Sequence, residues 1–250
     1  MIETFFFLCN HCVHQKMGSK RKRSSSSRSS KRSRRHGRNP LHRTIVPYSS
    51  AGVLGPSVVK YHKYSEYFSI NPGIGVLGNH VFSCTGMYDP NYTGTGHQPL
   101  GFDEMANLYN HYTVLKASIC LSVINNSGYN ILVACNVNDG VTGITDPDDF
   151  VEAAGTKWMV MGTDSAQGGS KTNMTLKKSV DLGRFFGKST RSRISTSLYR
   201  GNSTTNPTDN AWFLIGAGAF NGTDDPGAIA MRATITYKAV WTEPKKISGS

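Results

Sequence analysis

The chain has 250 residues, room for one large domain or two small ones, and all-β domains often exceed 200 residues as a single unit. Its net charge of +12 is unevenly placed: twelve of the 28 Lys and Arg fall in residues 16–43, which hold no Asp or Glu. From Thr44 onward the other sixteen face fifteen acidic residues, Glu3 being the one acid upstream. Leu, Glu and Lys are too scarce in this body for a helical bundle, and its Gly, Thr, Asn, Val and Tyr favour strands and turns. Five Cys, an odd count at irregular positions, do not suggest a disulfide framework and point to a reducing compartment.

In chain order, residues 1–16 form a leader whose apolar run, Phe5 to Leu8, is too short for a signal-peptide core. Its Cys9, His11, Cys12 and His14 match no zinc spacing, and the simpler reading takes Met17 as the native start. Residues 17–43 are an Arg/Lys/Ser-rich arm. With almost nothing apolar to bury, it cannot offset its chain entropy and is expected to be disordered alone. Residues 44–57 form a Pro/Gly/Ser linker, and 58–244 form the folded body, followed by a tail at 245–250.

The body alternates with a period of two. Strands are predicted at 58–70, 80–86, 112–124, 129–137, 157–162, 173–182 and 210–220, with a last one from Ile229 that Pro244 ends. In the third, Leu115, Ala117, Ile119, Leu121 and Val123 share a face. The seventh is apolar on both faces, as a central strand is. The last places Ile229, Met231, Ala233, Ile235, Tyr237, Ala239 and Trp241 on one face, with Arg232, Thr234, Thr236 and Lys238 on the other. A helix is predicted over 101–112, where Phe102, Met105, Tyr109 and Tyr112 recur at helical spacing, and a second after Asp146. Eight antiparallel strands predict an all-β fold, a single jelly-roll sandwich with a short helix between two strands.

Enzymatic constellations are missing from the sequence. The eight His form no HExxH pair, and there is no GxSxG elbow or phosphate loop. "GIGVLG" (73–78) lacks a βαβ context and reads as a turn. His97 could serve as a base beside Asp103, but a loop entering a helix explains it more simply. Asp146, Asp148, Asp149 and Glu152, and Asp224 with Asp225, offer oxygen ligands for Ca²⁺ without EF-hand spacing; solvated loop carboxylates or a helix N-terminus explain them more simply. No cofactor, metal site or membrane partner is expected.

The arm is the functional signal. Lys20, Arg21, Lys22 and Arg23 form one cluster, and Lys31, Arg32, Arg34 and Arg35 another. Such clusters read as nuclear-import signals, nucleic-acid contacts, or both. With Arg28, Arg38 and Arg43 they would neutralise phosphates and release counterions, giving affinity that falls steeply with salt and ignores sequence. Seven Ser between Ser24 and Ser33 would, if phosphorylated, cancel much of that charge. The arm has no aromatic side chain on which a base could stack. Tyr61, Tyr64, Tyr67 and Phe68 are the nearest candidates, though they read more readily as core or interface residues.

The stretch "GHQPLGFDEMANLYNHYTVLKASI" (96–119) resembles a segment in capsid proteins of small circular single-stranded DNA viruses, the circovirus-like group. The resemblance is carried by Gly96, His97, Gln98, Pro99, Gly101, Phe102, Asp103, Leu108, Tyr109, Tyr112 and Val114, where a strand passes through a short helix into the next strand. The order of basic arm, Gly/Pro linker and eight-stranded body is similar as well. The resemblance implies a virion component: a homo-oligomeric icosahedral shell, the simplest (T=1) having about sixty subunits. It also implies arms on packaged single-stranded DNA, and a nuclear-import receptor that carries the protein to the host nucleus. About sixty such arms would supply on the order of 700 positive charges. The alternative is a cellular nucleic-acid-binding β-sandwich that forms no shell.

Overall fold

The computed structural model describes residues 54–163 and 172–246. The chain divides into Met1–Pro47 and Tyr48–Ser250, and every described residue lies in the second unit. The leader, the arm and all but the end of the linker therefore lie outside the described residues.

The described residues form eight strands: β1 (Ser57–Ile70), β2 (Gly78–Ser83), β3 (Tyr109–Ile124), β4 (Ile131–Asn138), β5 (Lys157–Met161), β6 (Asn173–Asp181), β7 (Trp212–Ala219) and β8 (Ile229–Pro244). Helix α1 (Phe102–Leu108) precedes β3 and α2 (Pro147–Glu152) precedes β5. Between β6 and β7 lie α3 (Leu182–Phe185), α4 (Thr190–Ser195) and a 3-10 turn, Ser197–Tyr199. The strands form two four-stranded sheets, ordered β1-β8-β3-β6 and β2-β7-β4-β5, with every pair antiparallel. Strands β1 to β4 alternate one by one between the sheets, β5 stays beside β4, and β6 to β8 alternate again, which is the jelly-roll order.

The main core lies between the sheets. All seven β8 residues expected to face inward are buried, from Ile229 to Trp241. Strand β7 is central and buried on both faces. Phe213, Ile215 and Ala217 enter the main core, while Leu214 joins a smaller cluster with Leu77, Val81, Leu132, Ala134 and Phe150 on the far side. That cluster covers the outer face of the β2-β7-β4-β5 sheet. Gly216 makes it possible, since a Cβ there would stand 2.3 Å from the Phe150 ring.

Two expectations are corrected. The helix predicted through Tyr112 stops at Leu108, and Tyr109 is already extended (φ −129°, ψ 149°). Tyr, Thr and Val in "YNHYTV" suit a strand, and β3 gains hydrogen-bonded pairing with β8 from Tyr109 onward. Leu115 does not share the inward face of Ala117. A β-bulge between Val114 and Lys116 shifts the register, so that Val114 is buried (1 %) and Leu115 is half-buried. The buried Arg193 guanidinium of α4 donates to the Val114 carbonyl at this bulge and lies over the Phe186 and Tyr199 rings. Helices α3 and α4 and the 3-10 turn were not anticipated, because runs of three to six residues leave no helical period to detect.

Gly216→Val should destabilise the fold by about 2 kcal/mol through overpacking against Phe150. A urea titration followed by tryptophan fluorescence checks this, and the midpoint should fall without a change of slope.

Candidate nucleic-acid interface

The arm residues singled out above, Lys20 to Arg43, lie outside the described residues, as do the arm serines. The family-like segment is described in full, and its role is structural. Gly101 takes a left-handed conformation (φ 78°) that no side chain favours and turns the chain into α1. Phe102 then packs against Tyr112 (5.5 Å) and Trp241 (5.5 Å), and Tyr112 and Trp241 are 5.4 Å apart. The Tyr112 hydroxyl accepts the Met87 and Tyr88 N–H groups (3.0 and 3.3 Å) and donates to Asn206 Oδ1 (3.2 Å). Pro99 is buried, Gln98 is half-buried, and Leu108 lends its carbonyl to the Lys245 N–H. The segment therefore fastens α1, β3 and the end of β8 into one aromatic cluster.

His97 is not placed as a base. Its ring nitrogens lie against the Gln98 and Ser65 carbonyls (2.8 and 3.1 Å), while Asp103 is exposed in the first turn of α1. The acidic loops are explained locally. Asp146 caps α2 by accepting the Asp148 and Asp149 N–H groups (2.9 and 3.2 Å), and Asp225 accepts the Gly227 N–H (2.8 Å). Asp224 accepts from the Asn221 amide (2.6 Å). Among the described residues, no group of three or more His, Cys, Asp or Glu is placed to hold a metal. Cys84 and Cys135 are buried free thiols, and burial pushes Cys135 up to about 12, so neither offers a thiolate. No described helix is long and apolar enough to cross a membrane.

His62, inside the sandwich, is a neutral structural histidine. The Trp241 indole N–H donates to its Nε2 (3.0 Å), so its proton sits on Nδ1, which faces the Leu100 carbonyl (3.4 Å). Burial lowers its pKa, opposed in part by that carbonyl. His80, half-buried against the tilted rings of Phe68 and Phe82 (4.5 and 4.7 Å), is lowered by burial too.

The structure separates the four aromatic residues of β1. Tyr64 and Phe68 are core, whereas Tyr61 and Tyr67 are 68 % and 62 % exposed on the outer face of the β1-β8-β3-β6 sheet. Register sets side chains of all four strands in rows across that face. The first row runs Tyr61, Lys238, Lys116, Asp181, and the second Lys63, Thr236, Ser118, Ser179. A third runs Ser65, Thr234, Cys120, Lys177, and a fourth Tyr67, Arg232, Ser122, Thr175. These rows hold five cations and one carboxylate, Asp181, which pairs with Lys116 at 3.1 Å. Shallow hollows run along the face between the tyrosines and β6, floored by small hydroxyl side chains. The outward side of β8 was legible in the alternation of Arg232 to Lys238. The convergence of Lys63, Lys116 and Lys177 on it was not, because pairing order is not written in any one strand.

Fold and face together define an antiparallel jelly-roll sandwich with one outer face covered by an apolar cluster and one that is basic and, among the described residues, bare. No protein-family profile matches the chain, and no curated protein matches it. Among solved structures, it overlaps that of the Macrobrachium rosenbergii nodavirus at 9 % identity (TM-score 0.47), over 96 % of this chain and 62 % of that one. It overlaps the mud crab tombus-like virus structure at 12 % identity (TM-score 0.46; 78 % and 94 % of the two chains). A decameric BFDV capsid protein overlaps it at 11 % identity (TM-score 0.41; 75 % and 99 %). The jelly-roll assignment rests on the strand order above and not on these overlaps.

Buried His62 and half-buried His80 predict acid sensitivity. Below about pH 6.5 the unfolded chain takes up protons that folded His62 and His80 resist. Their contribution to stability is therefore complete above that pH and is lost as pH falls toward their lowered folded values. Urea midpoints between pH 8 and pH 5 should decline on the acid side, and His62→Gln, which keeps both an acceptor and a donor, should reduce the decline.

Proposed function

We propose that the chain is a non-enzymatic viral coat protein whose jelly-roll bodies assemble side by side into a closed shell around single-stranded DNA. The observation that carries this reading is the segregation of charge: a body with sixteen basic and fifteen acidic residues beyond Thr44, preceded by twelve basic residues without an acid. A nearly neutral body can pack against copies of itself without strong repulsion, while the arm supplies the counter-charge to a polyanion.

The ends of the sandwich support lateral contact. Exposed apolar side chains lie in the β1–β2, β3–β4 and β7–β8 connections, namely Ile74 (74 %), Tyr129 (44 %) and Phe220 (53 %). In the β2–β3 connection Tyr92 (56 %) and Leu100 (90 %) do the same. Apolar residues clustered at loop ends fit surfaces that a second copy covers. In this reading the basic clusters at Lys20–Arg23 and Lys31–Arg35 also engage an import receptor and direct the protein to the host nucleus.

The test is the assembly state of the full chain, by light scattering and electron microscopy at low and high salt. Uniform closed particles are expected. A monomer that persists at both salt concentrations, with and without DNA, would instead favour a cellular nucleic-acid-binding sandwich.

A further inference from the structure

We propose that the bare face of the β1-β8-β3-β6 sheet is a platform for single-stranded DNA, on which Tyr61 and Tyr67 stack bases while Lys63, Lys177, Arg232 and Lys238 contact phosphates. The choice of ligand rests on the coat-protein reading; the site rests on the geometry of the face.

The two sheets differ in what covers them. An apolar cluster under α2 shields the outer face of the β2-β7-β4-β5 sheet, centred on Phe150 and Leu214. Among the described residues the opposite outer face has no such cover, and its charge is almost entirely of one sign. Lys116 and Lys238 lie directly across from each other on β3 and β8. Like charges so placed destabilise a sheet. Asp181 answers only Lys116. A face that merely keeps a protein in water carries both signs interspersed. This one presents cations that no carboxylate among the described residues compensates, Lys116 apart, and the complement of such a surface is a polyanion.

The tyrosines narrow the polyanion to an unpaired strand. They stand six residues apart on one strand, about 20 Å at the usual rise, and both rings are mostly exposed. Each lies opposite a cation across the β1–β8 pair: Tyr61 faces Lys238, whose Nζ is 5.9 Å from the ring centroid, and Tyr67 faces Arg232. Stacking on such rings needs bases free of a duplex stack. Between them the small side chains of Ser118, Ser179, Thr234 and Thr236 leave room for a backbone. The face thereby supplies what the arm lacks. Residues 16–43 contain no aromatic side chain and cannot tell a single strand from a duplex.

The experiment uses the full chain and fluorescence anisotropy of a labelled oligothymidine and of a labelled duplex of equal length, across a salt series. Tyr61→Ala with Tyr67→Ala should weaken oligothymidine binding by about tenfold or more and leave duplex binding and the salt slope unchanged. Tyr61→Phe with Tyr67→Phe keeps the π faces and should bind as the parent does, which separates stacking from any general damage to β1. Lys63→Ser, Lys177→Ser and Arg232→Ser together should make the salt slope shallower by about 2. The platform is overturned if the alanine pair binds oligothymidine as the parent does, or if it weakens single strand and duplex equally. A variant with Ser at the two arm clusters tests the other reading separately. It should flatten the salt slope and leave the single-strand preference intact; an unchanged slope there overturns the arm's role and not the platform.

Discussion

Strand β8 is the constraint on which the rest of the molecule depends. It is hydrogen-bonded along its length to β1 on one side and β3 on the other, and its alternation decides which face of that sheet is dry. Seven inward side chains from Ile229 to Trp241 admit no slip of one residue, because a slip would expose all of them and bury Arg232 and Lys238. Trp241 closes the end of the strand. Its ring packs on Phe102 and Tyr112, and its N–H is received by His62. One indole thus joins the helix before β3, the strand after it and the first strand of the body.

The same alternation that dries the inner face loads the outer one. Once the inward positions of β8 are apolar, its polar positions stand on a single surface, and β1, β3 and β6 add theirs at matching register. The result is a body of nearly balanced total charge with a locally basic face. The covered face of the other sheet shows that bareness is not inevitable in this architecture, since Gly216 yields the space in which Phe150 lies over that sheet.

Much of the sandwich was legible in the chain. β-rich runs bounded by turn residues marked all eight strands, with clear alternation in the last, and the double-sided apolarity of Phe213 to Ala219 marked the central one. What escaped detection has particular physical causes. Tyr109 and Tyr112 are three apart, which mimics one turn of helix, but cross-strand pairing with Pro244 and Trp241 makes them extended. Leu115 belongs to a regular alternation that the bulge interrupts, and the bulge is held by Arg193, which lies 79 positions along the chain from the carbonyl it meets. His97 sits in a family-like motif whose residues read as a site but largely build a cluster of rings. The basic platform is spread over four strands and becomes a surface only through their order.

The central claim is a division of labour, in which the body closes the container and unpaired cations hold its cargo. The most direct measurement is the ratio of absorbance at 260 and 280 nm of purified particles formed by the full chain and by a chain lacking residues 17–43. The account predicts that particles of the shortened chain, where they close, lose most of their nucleic acid. Shortened particles that carry as much nucleic acid as the full-length ones would contradict it.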